Sequence, residues 1–459
     1  MLIHSSLYAE KAHDAAKLVP GLATGGFGTR IRELFPGIPK PLIPIGGKPV
    51  LEREVECLRK QGFTELIFTV CNQREKVMEY FGDGSRFGVS VRYFEETVPL
   101  GNAGALFYLR GELTEDFLLL NADSLFDIDF GRLVDFHREK GGKATLFTHP
   151  NSHPYDSGLI LTDGDGAVKE WLTKEDPRPK YYDNRVNAGL HVLSPSVIDA
   201  AWERRHPGEL PLWEKNKLQP VASAEGAGQM DAAPEKWDLD RDLLKPLAGT
   251  GTMFAYDSPE YVKDMGTPDR YRAVNANFEN GIVTARNLKN RQKAVFLDRD
   301  GTINYYVPFC HKLEDFHVLP WAAEEIGKIN AAGYLAIVVT NQPVIARGEM
   351  SFEELDLTHK KMQTELGEKG AYLDAIYFCP HHPDKGFAGE RPELKFDCDC
   401  RKPKPGMFLK AAERFNIDLS QSIMVGDDDR DMKAGEAAGC RKNILVKTNE
   451  PWTLDGELD

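Results

Sequence analysis

The stretch Ala294–Asn304 reads AVFLDRDGTIN, and it decides the fold of the C-terminal part of the chain. Four apolar residues are followed at once by the carboxylates of Asp298 and Asp300 and by Gly301. A short apolar run that ends in a polar turn is typical of a buried strand in a parallel sheet. Ligands of such sheets bind at the carboxyl ends of the strands, so we expect these carboxylates to lie in a site.

Three further polar motifs lie at the ends of predicted strands or turns: Thr340, the pair Arg401-Lys402, and Asp427. Two aspartates at positions i and i+2 suit two-step phosphoryl transfer. One attacks phosphorus, and the other moves a proton to or from the leaving group. A lone pair of aspartates is more often a plain turn, so the interpretation depends on finding all four motifs in order.

Together the four motifs resemble those of the haloacid dehalogenase (HAD) phosphatases, over about residues 293–447. The resemblance implies that Asp298 is the nucleophile and that Asp300 is the acid–base residue. It also implies that Thr340 and Lys402 stabilise the phosphoryl group and that Asn341 and Arg401 bind substrate. It also implies a Mg²⁺ ion held by three residues: Asp298, the backbone carbonyl of Asp300, and Asp427.

Cysteines and histidines cluster between these motifs, at Cys379, His381, Cys398 and Cys400. Three thiolates and one imidazole satisfy tetrahedral Zn²⁺, and soft or borderline donors favour Zn²⁺ over Mg²⁺. We predict a structural zinc site in the loop 379–400, with His382 as a competing ligand. A chance cluster of buried thiols is the alternative.

The zinc loop CPHHP…CDCRKPKPGM resembles that of the histidinol phosphatases and the D-glycero-D-manno-heptose 1,7-bisphosphate phosphatases. The motifs FLDRDGTIN and TNQ…IARG agree with this group. One departure is Pro343-Val344, where Ser-Gly usually follows TNQ.

The N-terminal part carries a glycine-rich stretch, LATGGFGTR, at Leu22–Arg30. Glycines let backbone N–H groups approach phosphate oxygens, and nearby hydroxyl and cationic groups add donors. The residues that we expect to bind a polyphosphate are Gly25, Gly26, Gly28, Thr29, Arg30 and Lys40. Farther on, Asp123 follows the apolar run FLLL and Asp264 precedes a Gly-Thr-Pro turn. Two carboxylates that hold Mg²⁺ over a triphosphate are expected for nucleotidyl transfer.

Residues from about Lys17 to Ala273 resemble the sugar-1-phosphate nucleotidyltransferases, and among these the heptose 1-phosphate guanylyltransferases. The resemblance implies that the segment from Gly101 to Ala105, with Asn102, lies near the base. It implies that Gly158, Asn187 and Gly189 contact the sugar. It also implies that Lys174 contacts the sugar phosphate. The glycine loop is one residue longer than usual, Pro20 interrupts the expected first strand, and the usual LGTAG reads LGNAG.

Composition bounds the remaining possibilities. The chain has 459 residues and a formal net charge of −14, so it has no overall attraction for nucleic acid or an anionic membrane. No apolar run approaches the roughly 20 residues of a membrane span. We therefore expect a soluble cytoplasmic protein that acts on small molecules, with a homo-oligomer left open.

The predicted fold class is α/β, with two Rossmann-like parallel-sheet domains. We expect an extension over 1–16, a nucleotidyltransferase domain with a GT-A-like fold over 17–274, a linker over 275–292, and a HAD-like phosphatase domain over 293–459.

The leading functional hypothesis is a bifunctional enzyme of nucleotide-activated heptose synthesis. It would hydrolyse the 7-phosphate of heptose 1,7-bisphosphate and join the sugar 1-phosphate to a nucleotide, with GTP favoured and ATP, CTP and dTTP left open. The alternative is an active phosphatase, for heptose bisphosphate or histidinol phosphate, fused to a degenerate domain that senses a nucleotide sugar.

Overall fold

The computed structural model describes residues 2–4, 31–71, 73–215 and 235–458. The chain divides into two compact units. The first comprises residues 1–148, 162–171 and 187–284, and the second comprises 149–161, 172–186 and 285–459. The glycine-rich residues predicted to bind phosphate, from Gly25 to Arg30, lie outside the described residues.

The elements up to residue 285 are thirteen strands and eight α-helices, taken over the described residues. The strands are β1 (Leu2–His4), β2 (Pro44–Ile45), β3 (Lys48–Pro49), β4 (Glu65–Val70), β5 (Ser90–Glu95), β6 (Phe117–Leu120), β7 (Ser124–Asp127), β8 (Ala144–His149), β9 (Leu159–Thr162), β10 (Val168–Leu172), β11 (Val186–Leu193), β12 (Met253–Asp257) and β13 (Tyr261–Asp264). The helices are α1 (Val50–Arg59), α2 (Arg74–Phe81), α3 (Gly104–Leu109), α4 (Phe130–Lys140), α5 (Ser196–Arg205), α6 (Leu212–Lys215), α7 (Pro268–Glu279) and α8 (Ile282–Ala285).

Helix α1 shows how the sequence sets these bounds. Its apolar residues Leu51, Val55 and Leu58 fall at helical spacing and are completely buried. The helix ends at Arg59, and Gly62 takes a φ of +87° in the turn that follows. Glycine adopts this left-handed conformation without a steric penalty, so the chain can reverse there.

The sheet of the first unit is mixed. Within this unit its strands run in the order β11-β6-β1-β4-β5, and β8 joins it to β12. Strands β4 and β5 pair in parallel, whereas β1 lies antiparallel to both β4 and β6, and β11 lies antiparallel to β6. The prediction of an α/β fold is confirmed, and the antiparallel pairs add a feature that apolar runs alone do not reveal.

The second unit contains a sheet in which every pairing is parallel. Its strands are β14 (Ala294–Leu297), β15 (Leu335–Asn341), β16 (Ala375–Cys379), β17 (Ile423–Gly426) and β18 (Lys442–Leu445), in the order β16-β15-β14-β17-β18. Its helices are α9 (Ala322–Ala331), α10 (Phe352–Gly367), α11 (Gly406–Phe415) and α12 (Asp429–Ala438). A separate apolar cluster covers each face of this sheet. Successive side chains of a strand point to opposite faces, so Val295 belongs to one cluster and Phe296 to the other. This confirms the predicted parallel sheet.

Two segments that precede residue 187 belong to the second unit and pack on α10. The Tyr182 backbone N–H donates to Thr364 Oγ1 at 3.0 Å, and Gln363 Nε2 donates to Asp183 Oδ1 at 2.8 Å. Arg185 also donates to the backbone carbonyl of Asp374 at 2.9 Å. Residues 275–292, expected to form a linker, include the end of α7 and all of α8. No helix in the described part of the chain is long and apolar enough to cross a membrane.

Candidate active sites and metal centre

Asp298 lies at the carboxyl end of β14, the central strand of the second sheet. Its backbone N–H donates to the Val425 carbonyl of the neighbouring β17 at 2.9 Å, which fixes the turn. Asp427 follows β17 directly, so the two carboxylates meet at the same edge of the sheet. One oxygen from each of Asp298, Asp427 and Asp431 lies within 4.8 Å of the others, a spacing that could hold a metal ion.

Lys402 is the cation of this acidic cluster. Its side chain is only 1% exposed, and Nζ lies 2.9 Å from Asp298 Oδ1 and 2.5 Å from Asp431 Oδ1. Burial raises the pKa of Asp298 to about 7, although the charge of Lys402 opposes this shift. A bound divalent cation would favour the ionised carboxylate that a nucleophile requires.

Four donors from three side chains surround Asp300. Asn304 Nδ2 donates to Oδ1 at 2.9 Å, Gln342 Nε2 donates to Oδ2 at 2.9 Å, and Arg299 makes hydrogen bonds to both oxygens. Burial by itself would raise the pKa of Asp300, but the charge of Arg299 and these hydrogen bonds lower it overall. No role was predicted for these three side chains. Their positions in the motifs FLDRDGTIN and TNQ are the signal that could have found them.

Asn341 and Thr340 end β15 beside the same cluster. Thr340 is 1% exposed and accepts a hydrogen bond from Gln342 at 3.0 Å. Asn341 donates to the Lys402 carbonyl and accepts from the Lys402 backbone N–H, both at 3.0 Å. The amide of Asn341, predicted to bind substrate, therefore positions the backbone of Lys402 in this structure.

The predicted metal loop brings its four ligands together. Ligand atoms of Cys379, His381, Cys398 and Cys400 lie within 4.8 Å of one another, and His381 Nδ1 is 3.3 Å from Cys400 Sγ. A hydrogen bond from Cys379 is the main cause that lowers the pKa of Cys400 to about 5, which favours a thiolate. His382 turns elsewhere, and its Nδ1 accepts from the Asp384 backbone N–H at 3.2 Å. Three sulfurs and one nitrogen in this arrangement fit a tetrahedral metal ion.

In the first unit, Asp123 and Asp264 are neighbours. Strands β7 and β13 pair with Asp264 opposite Ser124, and the Met265 backbone N–H donates to the Asp123 carbonyl at 3.3 Å. Lys40 Nζ lies 2.8 Å from Asp123 Oδ2, with both side chains partly exposed. Asp264 pairs with Arg270 at 3.0 Å, a contact not anticipated from the sequence.

Asn187 and Gly189 lie beside the turn that carries Asp123. Gly189 has a φ of +75°, and a Cβ there would stand 2.3 Å from Asn121 Nδ2. The Asn121 backbone N–H donates to the Gly189 carbonyl at 3.2 Å. The Asn187 side chain accepts from the Gly189 backbone N–H at 3.2 Å, which stabilises this bend.

The segment predicted to lie near the base is held by residues 237–239. Gly101 has a φ of +84°, and a Cβ there would stand 2.2 Å from the Trp237 carbonyl oxygen. Asn102 accepts from the Leu239 backbone N–H at 2.7 Å, and the Ala103 backbone N–H donates to the Trp237 carbonyl at 3.1 Å. The departure from LGTAG to LGNAG therefore provides an acceptor that fixes this segment.

Three further residues were predicted to contact substrate: Gly158, Lys174 and Arg401. Gly158 and Lys174 belong to the segments grouped with the second unit. Lys174 is largely exposed, and its Nζ lies 3.7 Å from Glu175 Oε1. Arg401 is half-buried and donates to the His381 carbonyl at 3.2 Å, and burial lowers its pKa.

Comparison with known proteins identifies both parts. Residues 22–281 match the family model described as nucleotidyl transferase, and residues 399–453 match the HAD-hydrolase-like model. The D-glycero-beta-D-manno-heptose-1,7-bisphosphate 7-phosphatase of Pasteurella multocida (strain Pm70) is 44% identical over 167 residues, which are 36% of this chain and 88% of that relative.

Two solved structures are also similar. The D,D-heptose 1,7-bisphosphate phosphatase from B. bronchiseptica, crystallised with magnesium and phosphate, is 36% identical and covers 34% of this chain and 82% of its own, with a TM-score of 0.31. HddC from Yersinia pseudotuberculosis is 21% identical and covers 57% of this chain and 98% of its own, with a TM-score of 0.43. The chain thus belongs to the nucleotidyl transferase family and, through its C-terminal part, to the heptose-bisphosphate phosphatase family within the HAD-like hydrolases.

Proposed function

We propose that the chain is a bifunctional enzyme of nucleotide-activated heptose synthesis. Its C-terminal part hydrolyses the 7-phosphate of D-glycero-D-manno-heptose 1,7-bisphosphate, and its N-terminal part joins the sugar 1-phosphate to a nucleotide. The single observation that carries the proposal is the presence of two separate acidic sites, Asp298 with Asp427 and Asp123 with Asp264, within one chain that matches both families. The product of the first reaction is the substrate of the second.

In the phosphatase reaction, the Asp298 carboxylate attacks phosphorus and the bond from phosphorus to the sugar oxygen breaks. Lys402 and Thr340 stabilise the charge of the transferring group. Asp300 donates a proton to the leaving oxygen, and later accepts one from the water that releases phosphate from Asp298. The donors around Asp300 favour its carboxylate form, so the free enzyme is better prepared for the second step.

Asp298, Asp427 and the backbone carbonyl of Asp300 would hold Mg²⁺, which when bound offsets the repulsion between an anionic nucleophile and an anionic phosphate. The Cys379, His381, Cys398 and Cys400 cluster would hold a structural Zn²⁺, because its donors are all soft or borderline.

In the nucleotidyl transfer, a phosphate oxygen of the sugar 1-phosphate attacks the α-phosphorus of a nucleoside triphosphate. The bond from the α-phosphorus to the bridging oxygen breaks, and pyrophosphate leaves. Lys40 and the glycine loop would hold the triphosphate, and Asp123 and Asp264 would hold Mg²⁺. Catalysis here depends mainly on positioning and charge neutralisation. GTP is our favoured nucleotide, by the sequence resemblance to guanylyltransferases.

Two isosteric substitutions test the proposal. Asp298→Asn should abolish phosphate release from heptose bisphosphate and leave pyrophosphate release from GTP and heptose 1-phosphate intact, and Asp123→Asn should do the reverse. Asp429→Asn is the matched control, because its exposed carboxylate pairs with Lys433 on the surface of α12. Loss of both activities from either substitution would contradict independent sites. Tight GTP binding without pyrophosphate release in the unmodified enzyme would favour the nucleotide-sugar sensor.

A further inference from the structure

Phe309 has an unusual backbone conformation for its residue type. Its φ is +53°, in the left-handed region that a side chain with a Cβ rarely adopts, and its side chain is 51% exposed. Such strain persists only where the surroundings hold it, and it concentrates at functional sites. An exposed aromatic ring in a strained position calls for a functional explanation.

Arg347 holds the Phe309 ring. The centre of its guanidinium lies 3.8 Å from the ring centroid of Phe309 and 4.5 Å from that of Phe387, and both distances are typical of cation–π contacts. Arg347 also pairs with Glu349 at 2.7 Å, and its side chain is only 15% exposed. Its charge is therefore paired with Glu349, while the face of its guanidinium lies against the Phe309 ring.

Phe309 and Arg347 each follow closely in the chain a residue that donates a hydrogen bond to the Asp300 carboxylate. Asn304, five residues before Phe309, donates to Asp300, and so does Gln342, five residues before Arg347. The loop that carries Arg347 is further held by the metal loop, since the Ala346 backbone N–H donates to the Pro380 carbonyl and its carbonyl accepts from Arg391 at 2.9 Å. Short chain segments therefore connect the Phe309 ring and its partner Arg347 to the two residues that hold the Asp300 carboxylate.

We propose that Phe309 is the platform on which the sugar of the phosphate ester stacks while its phosphate lies at Asp298. The proposal rests on the proposed phosphatase function and names how that site selects its substrate. One side of the ring is covered by Arg347, and the exposed remainder offers an apolar surface to the C–H groups of a sugar. A ring fixed before binding loses little conformational freedom when substrate arrives. Phe309 is then a specificity-determining residue that takes no part in phosphoryl transfer.

The test compares a sugar substrate with a phosphate donor that has no sugar. In Phe309→Ala, the ratio of kcat/KM for heptose 1,7-bisphosphate to that for acetyl phosphate should fall about tenfold, mainly through KM. Phe309→Gly should show the same fall, yet unfold at a temperature no lower than Phe309→Ala, because glycine takes a positive φ without strain. Tyr306→Ala is the control, since Tyr306 is an equally exposed aromatic residue in the same segment.

The outcomes separate the platform from the phosphatase itself. If the unmodified enzyme hydrolyses heptose bisphosphate and the Phe309 variants keep its substrate ratio, the platform is wrong and the proposed function stands. An equal fall in Tyr306→Ala also overturns a specific role for Phe309. If the unmodified enzyme releases phosphate only from acetyl phosphate, the proposed function fails and the platform fails with it.

Discussion

Removal of the Lys402 charge should destabilise the second unit, because its acidic cluster would then lack a neutralising cation. Lys402→Met keeps a similar length and apolar stem but leaves Asp298, Asp427 and Asp431 without their buried cation. Breaking a buried ion pair by removing one partner costs about 3–5 kcal/mol, because the remaining charge is desolvated and unpaired. The upper part of this range is expected here, because Lys402 Nζ lies 2.9 Å from Asp298 Oδ1 and 2.5 Å from Asp431 Oδ1, and the Lys402 side chain is only 1% exposed.

Urea unfolding of the metal-free protein, followed by tryptophan fluorescence and far-UV circular dichroism, measures this loss. We expect the transition of the second unit to lose about 3–5 kcal/mol in Lys402→Met and to regain part of it in Lys402→Met/Asp431→Asn. The pKa of Asp298 should rise further without Lys402, so phosphatase turnover should fall by about 10²–10³-fold.

A loss below about 1 kcal/mol in Lys402→Met would refute the charge argument, since that is the range of an exposed pair. Equal stabilities of the single and double variants would refute the coupling to Asp431. Addition of Mg²⁺ should reduce the difference in free energy of unfolding between Lys402→Met and the unmodified protein, because a bound cation neutralises the same carboxylates.

Two further predictions concern the metal loop and acid stability. Cys398→Ser should lower the bound zinc, measured by elemental analysis, well below one ion per chain, whereas His382→Ala should retain it, because His382 lies outside the cluster; equal loss in both variants would contradict the ligand assignment. Burial lowers the pKa of His191 to about 3, below the value of roughly 6.5 in an unfolded chain. Between these two pH values the unfolded state binds more protons than the folded state. The first unit therefore loses stability as the pH falls through this window. His191→Gln should flatten that dependence by up to about 1.4 kcal/mol per pH unit in denaturant titrations at pH 6 and pH 5, and an unchanged slope would show that His191 does not cause it.

Local pattern was sufficient for most of the second unit. The run AVFL at Ala294–Leu297 forms the predicted strand, and the parallel order follows from apolar runs that alternate with helices. The clustering of Cys379, His381, Cys398 and Cys400 was also predictable, because these residue types recur at close spacing in one loop. The same holds for Asp298 and Asp427, which follow adjacent parallel strands.

Contacts between distant segments were not predictable. The antiparallel pairing of β1 with β4 and β6 depends on which segment fills the middle of a sheet, and no local pattern encodes that choice. Asn341 was predicted to bind substrate from its place in a motif, whereas its amide is engaged by the backbone 61 residues away. The assignment of residues 149–161 and 172–186 to the second unit likewise arises from contacts with α10 that only the folded chain reveals.

The closeness of Cys400 and Lys402 in the chain has a practical consequence. A single residue, Arg401, separates the metal-loop ligand Cys400 from the buried amine of Lys402. We therefore expect that oxidation of a thiol, or removal of a metal ion bound by these side chains, would displace the Lys402 amine and reduce phosphate release without altering a reacting atom. The zinc content should therefore be measured in preparations made without a reducing agent or exposed to strong chelators. Only then can weak turnover be attributed to an unsuitable sugar substrate.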